Sequence, residues 1–135
     1  MSSPEYVLHG EGSDGRPIIG VPTAAAWEAW LDAEHEVSSG VWLRLTKKGS
    51  DYRGPAYDEA VQVALCFGWI DGQARSYDDG SWLQRFTPRR PKGNWSRSNR
   101  DRVTALIEAG RMRPAGLRQV EAAKADGRWD AAYDT

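Results

Sequence analysis

Arg85, Arg89, Arg90, Lys92, Arg97, Arg100 and Arg102 fall within one short stretch of the chain, opposed there only by Asp101. Guanidinium forks match the oxygens of phosphate and carboxylate groups, so this concentration points to anion recognition. Pro88 and Pro91 restrict the segment between them, and a restricted loop loses less entropy on binding. Ser96 reads as the cap of a helix whose first N–H groups favour anions. Trp82 and Trp95 offer flat faces for stacking. With Trp69 and Asn94 beside them, these residues form a candidate ligand site of Trp69, Asp71, Trp82, Arg85, Arg89, Arg90, Lys92, Asn94 and Trp95 for a small anionic or aromatic molecule.

The same residues have a purely structural reading. Arginines on a loop and a helix serve as a solvated face or pair with carboxylates, here Asp71, Asp78 or Asp79. A tryptophan packs in a core by default. Asp71 is the one candidate catalytic acid: it follows an apolar run, where partial burial raises a carboxyl pKa toward general-base chemistry. An aspartate so placed more often fixes a turn or pairs with arginine. Cys66 sits between Leu65 and Phe67 and reads as a buried thiol rather than a nucleophile. His9 and His35 have no partner at metal-ligand spacing, so no metal site is expected. No Walker loop, dinucleotide fingerprint or nucleophile elbow occurs, and no cofactor is expected.

The composition bounds the class. A chain of 135 residues fits one domain with its own core, and its single cysteine excludes an intrachain disulfide. The formal charge of −1 is unevenly distributed: residues 1–68 carry 5 Lys/Arg against 10 Asp/Glu, and residues 69–135 carry 13 against 9. That imbalance disfavours a uniformly basic nucleic-acid coat and leaves room for one anion-binding patch. The first residues lack the basic and apolar runs of a signal peptide, and no membrane-spanning stretch is present, so a cytoplasmic protein is expected. Seven tryptophans against two phenylalanines make tryptophan the main core-filling aromatic residue.

The elements that must hold these residues follow from spacing. Residues 1–16 are polar and glycine-rich and read as a flexible segment, with a domain over 17–135. Tyr6–Leu8 and Ile18–Val21 flank the Gly12–Gly15 turn signal as a loose hairpin. Thr23 caps a helix over 24–36, with Trp27, Trp30 and Leu31 on one face. Val41–Thr46 is a strand with Trp42 and Arg44 opposite Val41, Leu43 and Leu45. Tyr57, Val61, Ala64 and Leu65 stripe a second helix ended by Gly68. Two strands, 69–76 and 81–87, form a hairpin around Asp78-Asp79-Gly80. Helices follow from Ser96 to Gly110 and from Pro114 to Gly127, after which Trp129 and Tyr133 fold back. The expected fold is α+β: a small antiparallel or mixed sheet covered by about four helices.

Gly40-Val41-Trp42-Leu43, Glu59-Ala60-Val61, the run Ala64-Leu65-Cys66-Phe67-Gly68-Trp69-Ile70-Asp71-Gly72, and Arg85-Phe86-Thr87-Pro88-Arg89-Arg90-Pro91 resemble the YdeI/OmpD-associated, or bacteriocin-protection, family. Glu108-Ala109-Gly110-Arg111-Met112 and Ala122–Trp129 extend the likeness from about Trp27 to Tyr133, with glycine at 93 where serine is the more frequent family residue. The resemblance implies a role in stress or toxin resistance and carries no catalytic residues with it. Three functions follow as expectations. The first is a non-catalytic binding or protective protein that captures a small anionic or aromatic ligand. The second is a nucleic-acid-binding module using residues 85–102. The third is a small enzyme using Asp71 with Arg85 or Arg89.

Overall fold

The structure, a computed structural model, describes residues 5–133. Its elements run β1 (Val7–Glu11), β2 (Pro17–Gly20), α1 (Ala24–Glu34), β3 (Val41–Thr46), α2 (Tyr57–Cys66), β4 (Trp69–Ser76), β5 (Ser81–Pro88), α3 (Arg97–Glu108) and α4 (Pro114–Ala125). The strands make one five-stranded sheet in the order β1-β2-β3-β5-β4. β2 and β3 are parallel, joined through α1, and the remaining neighbours are antiparallel, so the sheet is mixed and the fold α+β.

The loose hairpin read at the start of the chain is a true one. Residues 7–11, inside the segment expected to be flexible, pair with β2 across an irregular register. The expectation of disorder in the first few residues falls on 1–4, outside the described residues. The hairpin 69–76/81–87 forms as its turn signal requires, and Asp78 shapes it by accepting hydrogen bonds from the Gly80 and Ser81 N–H groups. A bulge interrupts β4 between Asp71 and Ala74. Buried Gln84 supports it from β5 by donating to the carbonyls of Gly72 (2.7 Å) and Gln73 (3.2 Å).

Local chemistry sets the helix starts. The Thr23 hydroxyl accepts from the Ala26 N–H and the Ser96 hydroxyl from the Asn99 N–H, each satisfying a donor that the first turn leaves open. Pro114 occupies the start of α4, where its missing N–H costs nothing. Gly68, at φ +75°, takes the left-handed conformation that lets α2 turn directly into β4.

Strand alternation then divides the molecule. Val41, Leu43 and Leu45 lie opposite Phe86, Gln84 and Trp82, and with Ile19 they face the helices. Trp27, Trp30, Trp69 and Trp95 fill that core together with Leu31, Val61, Val103 and Val120 from the four helices. Among the described residues, the other sheet face carries no helix. Its buried apolar cluster consists of Ile18, Trp42 and Leu83. Trp42 is nevertheless buried, because the β1–β2 turn folds over it: Asp14 accepts its indole N–H at 2.8 Å, and a Cβ on Gly12 would lie 2.4 Å from the same nitrogen. After α4 the chain returns: the Tyr133 N–H donates to the Trp95 carbonyl, and Trp129 packs edge-on against Trp95 with centroids 5.1 Å apart.

Candidate anion-binding site

The loop after β5 is fixed from both ends. The Arg89 N–H donates to the Gly68 carbonyl (2.9 Å), and the Gly93 N–H closes a turn on the Arg90 carbonyl (3.0 Å). The Arg89 side chain folds inward, lies over the Trp95 ring and donates through Nη2 to the carbonyls of Asn94 (3.0 Å) and Gly93 (3.4 Å). Arg128, anchored on Asp126 at 2.7 Å, donates to the same Gly93 carbonyl at 2.7 Å. Burial, with Arg128 nearby, pulls the Arg89 pKa down to about 10, which leaves it a cation at neutral pH. One arginine of the expected site is thus also a clamp on its own loop.

Alternation along β5 puts Arg85 and Thr87 on the helix-free face, and the loop brings Arg89 and Arg90 to the same place. With Arg16 from the β1–β2 hairpin they line a cleft of about 450 Å³, completed by Ser39, Gly72, Thr87 and the two prolines, with no carboxylate in its lining. Asp14 stands beside it, 3.1 Å from Arg16 Nη1 and 3.4 Å from Arg85 Nε. The Trp42 N–H, followed by bonds from Arg16, holds the Asp14 carboxyl down to about 2. Arg85 Nε is buried without an aligned hydrogen bond, and Arg90 is exposed.

Asp71 belongs to a different depression. Opposite Phe86 in the sheet, it lies on the helix side and accepts the Tyr57 hydroxyl at 2.5 Å. Burial, reinforced by that bond, pushes Tyr57 up to about 12, so it stays a donor. The pair lines a polar cleft of about 350 Å³ with Arg89, Asn94, Asn99 and Arg102. Arg102 there also donates to Asn99 (3.1 Å) and pairs with Asp58 (3.6 Å). The start of α3 borders this cleft, but Ser96 occupies the Asn99 N–H and the Tyr133 carbonyl occupies that of Arg97.

The sequence-derived site is therefore divided. Arg85, Arg89 and Arg90 meet in one cleft, and Asp71, Arg89 and Asn94 in another. Trp69 and Trp95 are core residues at 1% and 2% exposure, and Trp82 is half-buried beside Tyr57. Lys92 is exposed on the loop without lining either cleft. The basic stretch does not stay together: Arg100 donates to the Trp129 carbonyl on the helix side, away from Arg85. Arg16 was missed, since nothing in its local sequence shows that the turn bearing it folds back over the sheet.

Fold and site define a small α+β domain with an arginine-lined cleft at one end of a helix-free sheet face. Residues 19–119 match the family described as Domain of unknown function (DUF8412), and the chain belongs to that family. Neither a curated protein nor a solved structure matches it. Among the described residues, no helix is long and apolar enough to cross a membrane, and no group of three or more His, Cys, Asp or Glu side chains is placed to hold a metal ion.

Proposed function

We propose that this protein binds a small anionic molecule in the cleft of Arg16, Arg85, Arg89 and Arg90 and acts by capturing it rather than by transforming it. The single observation that carries this reading is the meeting of Arg16, Arg85 and Arg90 from three chain segments, with Arg89 clamping the loop between them, around one cavity whose lining holds no carboxylate. Their forks suit phosphate or carboxylate oxygens, and Thr87 and Ser39 add hydroxyls. The aromatic part of the original expectation does not draw on Trp69 or Trp95, which the core occupies. The resemblance to the YdeI/OmpD-associated family supports a protective role, with the captured anion as the agent or signal of stress.

Calorimetric titration with inorganic phosphate, citrate and a phosphosugar tests the reading. Binding is expected for at least one, with Arg85→Ala weakening it about 10- to 150-fold, the equivalent of one charge-assisted contact of roughly 1.5–3 kcal/mol. Absence of binding by all three, or binding indifferent to Arg85→Ala and Arg90→Ala, would refute it.

A small enzyme is the second reading, favoured by the cleft that joins Asp71 to Arg89. There the Tyr57–Asp71 pair would handle a proton beside a cation. Turnover of a bound phosphosugar that is lost in Asp71→Asn would favour it over simple capture. A nucleic-acid module is less well supported, because the cations of 85–102 are spread over both sides of the sheet.

A further inference from the structure

The helix-free face has a second cavity at its other end, independent of the arginine cleft. It measures about 500 Å³ and lies between the β1–β2 hairpin and the loop after β3, lined among others by Tyr6, His9, Gly20, Val21, Arg44 and Tyr52. Its walls combine aromatic rings with aliphatic Val7, Val21 and Pro22, the usual make-up of a small-molecule pocket.

Its charged lining residues are Glu5, Arg44 and Arg53, and two further polar groups converge within it. A Cβ on Gly20 would lie 2.7 Å from His9 Nε2 and 3.0 Å from the Tyr52 hydroxyl, so these two atoms, from different segments, meet over one bare stretch of β2. The Tyr52 ring is fixed in place: the Arg44 guanidinium lies 3.9 Å from its centroid. Arg44 is held in turn by Ser81 (2.8 Å) and Asp78 (2.9 Å). That ion pair offsets the Arg44 cation, and the exposed Glu5 and Arg53 carry opposite formal charges, so the lining has no net charge that calls for a charged ligand. Burial, and then Arg44, lowers the His9 pKa, so its imidazole is neutral at neutral pH. Tyr52 keeps its proton, since burial raises its pKa.

We propose that this pocket binds an uncharged, planar heteroaromatic ring, packed among the rings of Tyr6 and Tyr52 and hydrogen-bonded along its edge by His9 Nε2 and the Tyr52 hydroxyl. A neutral imidazole offers either a donor or an acceptor by tautomer, and the phenol offers a donor. Together they suit a ring that presents a nitrogen acceptor and an N–H on one edge.

The test is amide-resolved NMR titration of the intact protein with adenine, indole and cyclohexanol. Adenine is expected to saturate, with shifts clustered at His9, Gly20, Val21 and Tyr52, and to bind more tightly than indole or cyclohexanol. Tyr52→Phe, which keeps the ring and removes the donor, is expected to weaken adenine about 3- to 10-fold. Gly20→Ala is expected to abolish binding while the rest of the spectrum is retained, and Arg85→Ala to leave it unchanged. No saturable shift with adenine, shifts mapping elsewhere, cyclohexanol binding as well as adenine, or indifference to Tyr52→Phe would each overturn the proposal. The Tyr52→Phe comparison decides the matter even if Gly20→Ala does not fold.

Discussion

The guanidinium carbon of Arg89 lies 3.9 Å from the centroid of the Trp95 ring, and the stack joins the loop after β5 to the core. Trp95 is in turn packed against Trp129 and hydrogen-bonded through its carbonyl to Tyr133, so one arginine ties the ligand-facing loop to the returning C-terminal segment.

Arg89 and Arg90 should therefore separate in a stability measurement. Arg89 is 7% exposed and holds two loop carbonyls. Losing a desolvated cation–π contact worth about 2 kcal/mol, together with those bonds, should destabilise Arg89→Ala by about 2–4 kcal/mol in urea unfolding. Arg90→Ala, at an exposed position, should stay within about ±0.5 kcal/mol. Arg89→Lys should not restore stability, because one ammonium reproduces neither the planar stack nor the fork.

Much of this architecture is legible in the residues. The alternation Val41–Thr46 gives the correct faces, Thr23 and Ser96 cap as read, and Asp78-Asp79-Gly80 closes the hairpin it announces. Alternation along β5 places Arg85 on the face to which the loop carrying Arg89 and Arg90 also leads. What stayed hidden depends on contacts distant in sequence. A tryptophan next to a basic run looks the same whether its ring faces ligand or core, and only the docking of Trp129 on Trp95 shows which. Nor does a glycine-rich turn reveal that it will fold back and carry Asp14 and Arg16 to the cleft.

Gly116 should resist the most conservative substitution. It is the third residue of α4, in the first turn, where alanine gains at most about 1 kcal/mol of helix propensity. But a Cβ there would stand 2.3 Å from the Cys66 carbonyl oxygen, which is backbone and already accepts the Arg113 N–H. Relief requires moving α4 away from α2, at a cost of roughly 1–3 kcal/mol for an overpacked contact. Gly116→Ala is expected to lower the unfolding midpoint, whereas a neutral or stabilised variant would show that α4 shifts freely.

Cys66 should label slowly in the native protein. It is buried, and burial pushes its thiol pKa up, which disfavours the reactive thiolate. Reaction with an aromatic disulfide reagent at neutral pH should be much slower than in urea-unfolded protein. Rapid stoichiometric labelling of the folded chain would reopen a nucleophilic or redox role.

Asp14 should act oppositely on stability and on binding. Its carboxyl is held down to about 2 in the folded protein, against an ordinary value of 3.8, chiefly by the Trp42 N–H. A depressed carboxylate contributes stability that is complete above its unfolded value and is lost as pH falls through its folded one. Wild-type protein should thus lose an increment of stability between about pH 4 and pH 2, and Asp14→Asn should lack that part of the acid slope. At neutral pH the variant should be the less stable of the two, although its amide oxygen still accepts from Trp42. Anion binding should move the other way. The carboxylate lies 3.1 Å from Arg16 and 3.4 Å from Arg85, where it partly neutralises the two cations that the ligand would use. Removing its charge should tighten phosphate binding at neutral pH, more strongly at low salt, where these partly exposed charges are least screened. If Asp14→Asn weakens phosphate binding while urea unfolding shows the fold intact, Asp14 serves to position Arg16 and Arg85 rather than to compete with the anion for them.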